Sequence, residues 1–179
     1  MVIVFDSSTL ILLAKKELLD VFLNNFDGIV AIPKVVREET CNKKTFDALL
    51  IEKRIEEEKI KVYEVEKKDL VKKLIEDFNL EDGEAEAIIL CIEKGSKILA
   101  TDDKNAINAC KVLKELMELG RLMLAIRRYE EGKFSLGKAA KIARLSLSEF
   151  MDQLSKFGIK SRISYEDYLE GFENLKEIW

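Results

Sequence analysis

Short apolar runs alternate with helical patterns through the first 112 residues, and this alternation is the strongest constraint on the fold. The runs that predict buried strands cover residues 2–5, 28–32, 60–65 and 98–100. Between them apolar residues recur at helical spacing, most clearly over Asp82–Lys94, with Gly95 as a stop. Strands that alternate with helices predict an α/β fold with a mostly parallel sheet.

The pattern changes after about residue 111, beyond which no further strand is predicted. Helical patterns cover residues 111–119 and 122–131, with Gly120 between them as a break. A helix pair follows over residues 135–143 and 148–157, with a turn near Arg144 and Ser148 as the second N-cap. This spacing is typical of a small all-α helix–turn–helix module. We therefore predict two domains, at residues 1–115 and 121–179.

Composition excludes several kinds of chemistry. The 179 residues include 34 acidic side chains, 30 basic ones and no histidine, which rules out His-based triads and the commonest zinc sites. Three cysteines without a CxxC pair are typical of reduced thiols, and the start of the chain has no signal-peptide pattern, so we expect a cytoplasmic protein. No apolar run approaches the ~20 residues that a membrane span needs, so we expect no membrane partner.

Charge divides the chain at the same place as the helical pattern. Residues 121–162 hold ten basic and four acidic side chains, whereas residues 163–179 hold five acidic and one basic. Such a basic module could contact DNA phosphates through Lys138, Lys141 and Arg144. The alternative is a helical hairpin used for dimerisation or docking, because Glu149 and Asp152 on the second helix would repel phosphate.

Acidic residues follow the predicted strands at the edge where parallel α/β sheets bind ligands. They are Asp6 after the first strand, Glu38 in the helix after the second, and Asp102 and Asp103 after the last. The helix at Asp82–Lys94 adds Glu84 and Glu86. These two lie on opposite flanks of its apolar stripe, so we expect only one of them to face Asp6.

Carboxylates gathered at one edge repel one another, which raises their pKa values unless a cation is bound. Mg²⁺ or Mn²⁺ prefers oxygen ligands and supports phosphodiester cleavage without any histidine. The alternative is purely structural, because Asp6 followed by Ser7 and Ser8 can simply cap a helix, and so can Asp102.

Four stretches together resemble the PIN domain family in order and spacing: VIVFDSSTLILLA, IPKVVREE, DGEAEAIILCIEKG and KILATDDKNA. They cover about residues 1–112. The resemblance implies a three-layer α/β/α nuclease fold and, as in the VapC-type toxins of this family, RNA cleavage with Mg²⁺ or Mn²⁺. PIN domains usually continue with another strand and helix after the last acid. Here KVLKELMELGRLML predicts helix only, which leaves one sheet edge unfinished.

The resemblance also assigns roles to residues of this chain. The first acid is Asp6, with Ser8 as its hydroxyl neighbour, and the second is Glu38. The third aligns best with Glu86, with Glu84 as the alternative, and the fourth is Asp103 or Asp102. The expected catalytic set is therefore Asp6, Glu38, Glu86 and Asp103. Where the family often has an arginine after the last acid, this chain has Asn108.

The second part is similar to a family of small helix–turn–helix proteins regarded as VapB-like antitoxins. The similarity covers about residues 121–179 and rests on SLGKAA and on the acidic tail. It implies a toxin-type nuclease fused to an antitoxin-type partner. In separate pairs the antitoxin's end wraps the toxin and can place a basic side chain among its acids. In this chain Lys160 or Arg162 is the candidate for that inhibitory role.

Two functions remain open at this point. The first is a metal-dependent ribonuclease of toxin–antitoxin type that cleaves RNA and is restrained by the fused module. The second is a catalytically inactive PIN scaffold that acts as an antitoxin-like or DNA-binding regulator. Both predict a homodimer or higher homo-oligomer, because the apolar tail and the unfinished sheet edge need cover.

Overall fold

The computed structural model describes residues 1–160. The chain divides into two compact units, Met1–Val112 and Leu113–Trp179. The strands are β1 (Val2–Phe5), β2 (Ile29–Pro33), β3 (Ile60–Tyr63) and β4 (Ile98–Ala100). They form one parallel sheet in the order β3-β2-β1-β4. The predicted α/β class with a mostly parallel sheet is confirmed.

Helices connect the strands of the first unit. They are α1 (Ser7–Lys15), α2 (Leu19–Asn25), α3 (Lys34–Cys41), α4 (Phe46–Glu56), α5 (Lys68–Phe78), α6 (Asp82–Lys94) and the beginning of α7 (Lys104–Glu130). Helix α6 packs on β1, β2 and β4 and also contacts α3 and α5. The apolar residues of α6 between Ala85 and Leu90 are buried, as its apolar pattern predicts. The helix covers Asp82–Lys94, the range predicted from the sequence.

The sheet register brings the ends of β1 and β4 together. Phe5 pairs with Ala100, and the backbone N–H of Asp6 donates to the Ala100 carbonyl at 3.2 Å. Consequently Asp6 and the segment that starts at Thr101 leave the sheet side by side. Helices α1 and α7 begin directly after these two strand ends. Within residues 1–160, no strand pairs with β4 on its other side, as the sequence predicts.

The second unit contains the end of α7 together with α8 (Leu136–Ala143) and α9 (Leu147–Lys156). Phe150 and Leu154 of α9 are fully buried against residues of α7 and α8, and the Phe150 ring meets Tyr129 edge-on at 6.3 Å. Arg144 ends α8 in the left-handed region at φ 59°. The unit therefore has its own apolar core.

Two local predictions about the second unit are wrong. Gly120 does not interrupt α7, because glycine costs only about 1 kcal/mol inside a helix and its neighbours are strong helix formers. The N-cap of α9 is Ser146 and not Ser148. Its hydroxyl accepts from the Glu149 N–H at 3.2 Å, and the Glu149 carboxylate accepts from the Ser146 N–H, so the two form a capping box.

Candidate active site

A pocket of about 370 Å³ lies at the carboxyl end of β1. Its lining residues are Asp6, Ser7, Ser8, Ile11, Glu39, Glu81 and Glu84. Four of these seven carry carboxylates, and none is basic. The pocket is therefore strongly acidic, as expected of a site for a cation.

Asp6 is the buried centre of this pocket, with only 1% of its surface exposed. Its Oδ1 caps α1 by accepting from the Thr9 N–H at 2.9 Å, and it accepts from the Ser8 hydroxyl at 3.2 Å. Its Oδ2 is buried and has no hydrogen-bond partner among the described residues. Capping uses only one of the two carboxylate oxygens of Asp6, so the other remains free to bind a ligand.

The segment after β4 carries two further carboxylates, Asp102 and Asp103, neither of which is among the residues that line the pocket. The Ser8 hydroxyl lies 2.5 Å from Asp102 Oδ1, which ties this segment to the start of α1. Asp103 Oδ1 accepts from the Ala106 N–H at 2.7 Å, and the Asp103 N–H donates to Thr101 Oγ1 at 3.2 Å. Asp103 is thus held at the start of α7 by its own local hydrogen bonds.

Glu84 faces these acids from the first turn of α6. Its carboxylate accepts from the Glu81 N–H at 3.0 Å in a capping box. Burial raises the pKa of Glu84, and repulsion from Asp103, Glu81 and Asp6 raises it further, although the backbone hydrogen bond at Glu81 lowers it. Asp6 and Asp103 are therefore close enough to Glu84 to repel its charge.

Glu39 enters the pocket from α3. Ser7 donates a hydrogen bond to its carboxylate, which also lies against Gly83, where an added Cβ would come within 2.5 Å of Glu39 Oε2. Burial raises the pKa of Glu39, the Ser7 hydrogen bond lowers it, and repulsion from Glu81 and Asp82 raises it. Gly83 is thus a position where the absence of a side chain lets the carboxylate approach.

The structure does not bring Glu38 or Glu86 into this pocket. Glu38 lines a different pocket with Lys34, Arg37, Cys41, Asn42 and Glu52. Glu86 is buried, and its Oε1 pairs with Lys68 Nζ at 2.6 Å. Adjacent helical residues differ by about 100° and next-nearest ones by about 200°, so the neighbouring glutamates point elsewhere.

Glu39 and Glu81 line the pocket but are not among the acidic residues expected from the sequence. A signal existed for Glu39, because it follows the buried Val36 by three residues and so shares its side of the helix. Glu38 follows Val36 by two residues and points away. Glu81 is the N-cap of α6, a position that marks a helix start and is not in itself a sign of a ligand.

The side chains fit a hard cation in their chemistry, since all are oxygen donors and one buried oxygen lacks a partner. Over the described range 1–160, no three acidic or cysteine side chains stand close enough together to hold a metal ion as they are placed. Binding would therefore require the flexible side chains of Glu84 and Glu39 to move toward Asp6.

The basic residues predicted for the second unit lie at its surface. Lys138, Lys141 and Arg144 are exposed, and Lys138 Nζ lies 4.6 Å from the centre of the Phe134 ring. Lys160 is exposed at the end of the described residues. Arg162 and the acidic tail lie outside them. None of the helices in the described part is long and apolar enough to cross a membrane.

Comparisons with known proteins give the family. A family model described as PIN domain, DUF3368, matches residues 2–151. A UPF0175 protein of Aeropyrum pernix is 42% identical over 64 residues, which cover 36% of this chain and 72% of that protein. One of Archaeoglobus fulgidus is 37% identical over 65 residues, 36% of this chain and 75% of that protein. No solved structure matches the chain significantly.

The family match confirms the predicted resemblance to PIN domains and extends past its expected limit at residue 112 into α9. PIN domains have a nuclease-like fold and are generally dependent on divalent metals. The antitoxin-like identity of the second part stays a prediction. The chain, which includes a stretch similar to UPF0175 proteins, belongs to the DUF3368 family of PIN domains.

Proposed function

We propose that this protein is a ribonuclease that uses Mg²⁺ or Mn²⁺ at the pocket around Asp6. The observation that carries the proposal is the buried Asp6 Oδ2, which has no partner among the described residues and lines a pocket with three other carboxylates. A buried polar oxygen without a partner is costly, and a bound cation would compensate it. An RNA phosphate would also be repelled from this pocket unless a cation were bound there.

Asp6, Glu84 and Asp103 would hold the cation, with Glu39 as a further oxygen donor. A bound Mg²⁺ or Mn²⁺ supplies activation of water and stabilisation of the leaving oxygen in phosphodiester hydrolysis. The protein's part is to hold its donors in place. Asp6 is fixed by the Thr9 N–H and Ser8, and Asp103 is fixed by the Ala106 N–H.

Ser8 acts as a positioning residue between two acids. Its single hydroxyl proton can serve either Asp6 Oδ1 or Asp102 Oδ1, and the distance to Asp102 is much the shorter. Ser8 therefore holds the Asp102 segment next to α1. Asp102 itself is not among the residues that line the pocket.

The test compares wild type with Asp6→Asn in RNA cleavage and in Mn²⁺ binding. We expect the wild type to cleave structured RNA only with added Mg²⁺ or Mn²⁺, and to bind Mn²⁺ in calorimetry. Asp6→Asn should lose both, while circular dichroism shows an unchanged fold. Cleavage or Mn²⁺ binding that survives in Asp6→Asn would refute the site, and cleavage without metal would refute the metal dependence.

A second candidate function rests on the second unit. Its capped helix pair and three exposed basic side chains fit the antitoxin-like regulator suggested by the similarity of residues 121–179 to small helix–turn–helix proteins. In the fused form Lys160 or Arg162 would restrain the nuclease, so truncation after Phe157 should increase RNA cleavage. Without a gain in activity or metal affinity, the inhibitory role would be rejected.

The regulator hypothesis makes a separate prediction about DNA. Replacing Lys138, Lys141 and Arg144 by Gln should weaken DNA binding and reduce its salt dependence. If neither wild type nor Asp6→Asn cleaves RNA while the wild type binds DNA in a salt-sensitive manner, the inactive scaffold becomes the better description. Three free cysteines are consistent with a cytoplasmic setting for either role.

A further inference from the structure

The part of α7 in the second unit carries an apolar face that nothing in the described chain covers. Five of its large side chains are about half exposed: Leu116 57%, Met117 49%, Leu119 52%, Met123 46% and Leu124 48%. At about 100° per residue, these side chains with Leu113 and Gly120 occupy an arc of about 160°. We call this surface the α7 face.

The α7 face has a sharp polar boundary. All charged residues between 113 and 121 lie outside the arc, namely Lys114, Glu115, Glu118 and Arg121. A solvated helix would distribute such residues around its whole circumference, whereas a contiguous apolar patch with a polar rim is typical of a protein interface. We propose that a second copy of this chain covers the α7 face, with the two α7 helices packed in parallel.

Area supports a second copy. The five half-exposed side chains present roughly 450 Å² of apolar surface, which is within the range of the largest apolar patch on a typical monomer, a patch that is often functional. A stable interface buries about 800 Å² per partner, of which a little more than half is apolar. One helix face with its polar rim therefore supplies about the surface that a dimer of this chain needs.

Charge and shape indicate the parallel orientation. Glu115 lies at one rim of the face, and Lys114 and Arg121 lie at the other. In a parallel two-fold pair, opposite rims meet, so Glu115 of one copy faces Lys114 and Arg121 of the other. Gly120 lies near the middle of the arc, and an added Cβ there would meet nothing within 4 Å. Its small size lets two backbones approach at the crossing.

The first test is the mass of the full-length protein in solution, by size-exclusion chromatography with light scattering. We expect a wild-type dimer and a monomeric double variant Leu116→Glu with Met123→Glu, the dissociation constant rising at least about 30-fold. Both side chains are half exposed, so the variant should keep its circular dichroism spectrum. Leu49→Glu, at an exposed leucine of α4, is the matched control and should remain dimeric.

The second test is a disulfide across the proposed crossing. Gly120→Cys should form a covalent dimer under mild oxidation, whereas Lys114→Cys outside the arc should not. The native cysteines are only partly accessible, and oxidised wild type gives their background. A monomeric wild type would overturn the proposal, and would mean that residues 161–179 or another protein cover the face. A dimer that persists in the double variant, or equal cross-linking at both positions, would overturn it too.

Discussion

The two flanks of α6 place the same residue type in opposite situations. On one flank, burial raises the pKa of Glu84, and Asp103, Glu81 and Asp6 add repulsion. On the other flank, two residues later, the buried Glu86 pairs with Lys68 at 2.6 Å. Both glutamates come from the same short motif, yet only Glu86 has a cationic partner among the described residues. Lys68 takes one of its two oxygens, and Glu86 Oε2 is buried without a hydrogen-bond partner there.

The difference separates a carboxylate that is paired with a cation of the chain from one that lies among further acids. Where the chain itself provides a cation, as Lys68 does for Glu86, the carboxylate joins two helices. Where the described residues provide only further acids, as around Glu84, the proposed function expects a bound cation to supply the positive charge. Helix α3 repeats the contrast, because Glu39 lies among acids while the pocket at Glu38 also contains Lys34 and Arg37.

The largest expected effect on RNA cleavage comes from neutralising the two glutamates of α6 one at a time. Glu84→Gln should reduce metal-dependent RNA cleavage by at least about 100-fold, the usual size of losing a group that stabilises charge at the reacting centre. Glu86→Gln should keep cleavage within about threefold once the folded fraction is corrected for, because the group lies outside the pocket. Initial rates at saturating Mn²⁺ measure both variants.

The comparison also contains its own control. Both variants remove one negative charge from the same helix, so a general electrostatic effect on RNA binding would appear equally in both. Equal losses in the two variants, or a greater loss in Glu86→Gln, would show that the functional side of α6 has been misassigned.

The next effect in size concerns stability at the compensated flank. Lys68→Met should lower the free energy of unfolding by about 2 kcal/mol, because it leaves the buried Glu86 carboxylate without a cation. Lys68 is half exposed, so the loss stays below that of a fully buried pair. Chemical denaturation measures the change.

The double variant Lys68→Met with Glu86→Leu tests the cause of that loss. It should recover most of the stability, since no unpaired charge remains. If the double variant is no more stable than Lys68→Met alone, the loss comes from packing of the lysine stem and the ion pair is unimportant.

The sequence predicts the mostly parallel sheet and the edge of the candidate site because both depend on local pattern and chain order. Strand ends must meet at one edge of a parallel sheet, so Asp6 and the pair Asp102 and Asp103 could be expected there from chain order. The choice of Asp103 over Asp102 comes from the family resemblance. The bounds of α6 follow from an apolar stripe that ends at Gly95. These features need no knowledge of distant contacts.

The sequence does not determine which of two nearby glutamates faces the pocket. Rotating a helix by 100° exchanges Glu38 for Glu39, and only the packing of Val36 and Thr40 against the rest of the unit sets that rotation. Lys68, which decides the role of Glu86, is 18 residues away in the chain. The prediction that Gly120 breaks the helix is wrong for a different reason. One glycine destabilises a helix by less than interrupting a long helix would.

A smaller effect is expected at α3. Glu39→Gln should reduce cleavage by about tenfold and Glu38→Gln by less than twofold, because only Glu39 lines the pocket. Gly83→Ala should reproduce the Glu39 effect, since its methyl group would displace the Glu39 carboxylate.

Stability distinguishes displacement from damage in that experiment. The displaced atom is the end of a flexible side chain and alanine is the better helix former, so Gly83→Ala should unfold at the same temperature as wild type or higher. Unchanged cleavage in a stable Gly83→Ala would show that the position of Glu39 does not matter to the reaction.

The smallest effect is the pH dependence of stability in metal-free protein. The pKa of Glu84 is raised above its ordinary 4.5, so the folded state binds the proton more tightly than the unfolded state. The contribution of Glu84 to the stability of the folded state is therefore most favourable below pH 4.5. It is lost as the pH rises through the pKa of Glu84 in the folded protein. Glu84→Gln should melt higher than wild type at pH 7, by at most about 3 °C because solvent screens the group, and the difference should vanish near pH 4.

Added Mn²⁺ should then reverse the order of the melting temperatures at pH 7, so that the wild type melts higher than Glu84→Gln. Binding stabilises the wild type by about 1.4 kcal/mol at ten times the dissociation constant, while Glu84→Gln gains less because it has lost a donor. Thermal melts of the wild type, Glu84→Gln and Glu86→Gln, each with chelator and with Mn²⁺, measure this reversal of the melting temperatures. If Glu84→Gln melts lower than wild type in chelator, Glu84 stabilises the fold as Glu86 does, and the contrast between the two flanks of α6 disappears.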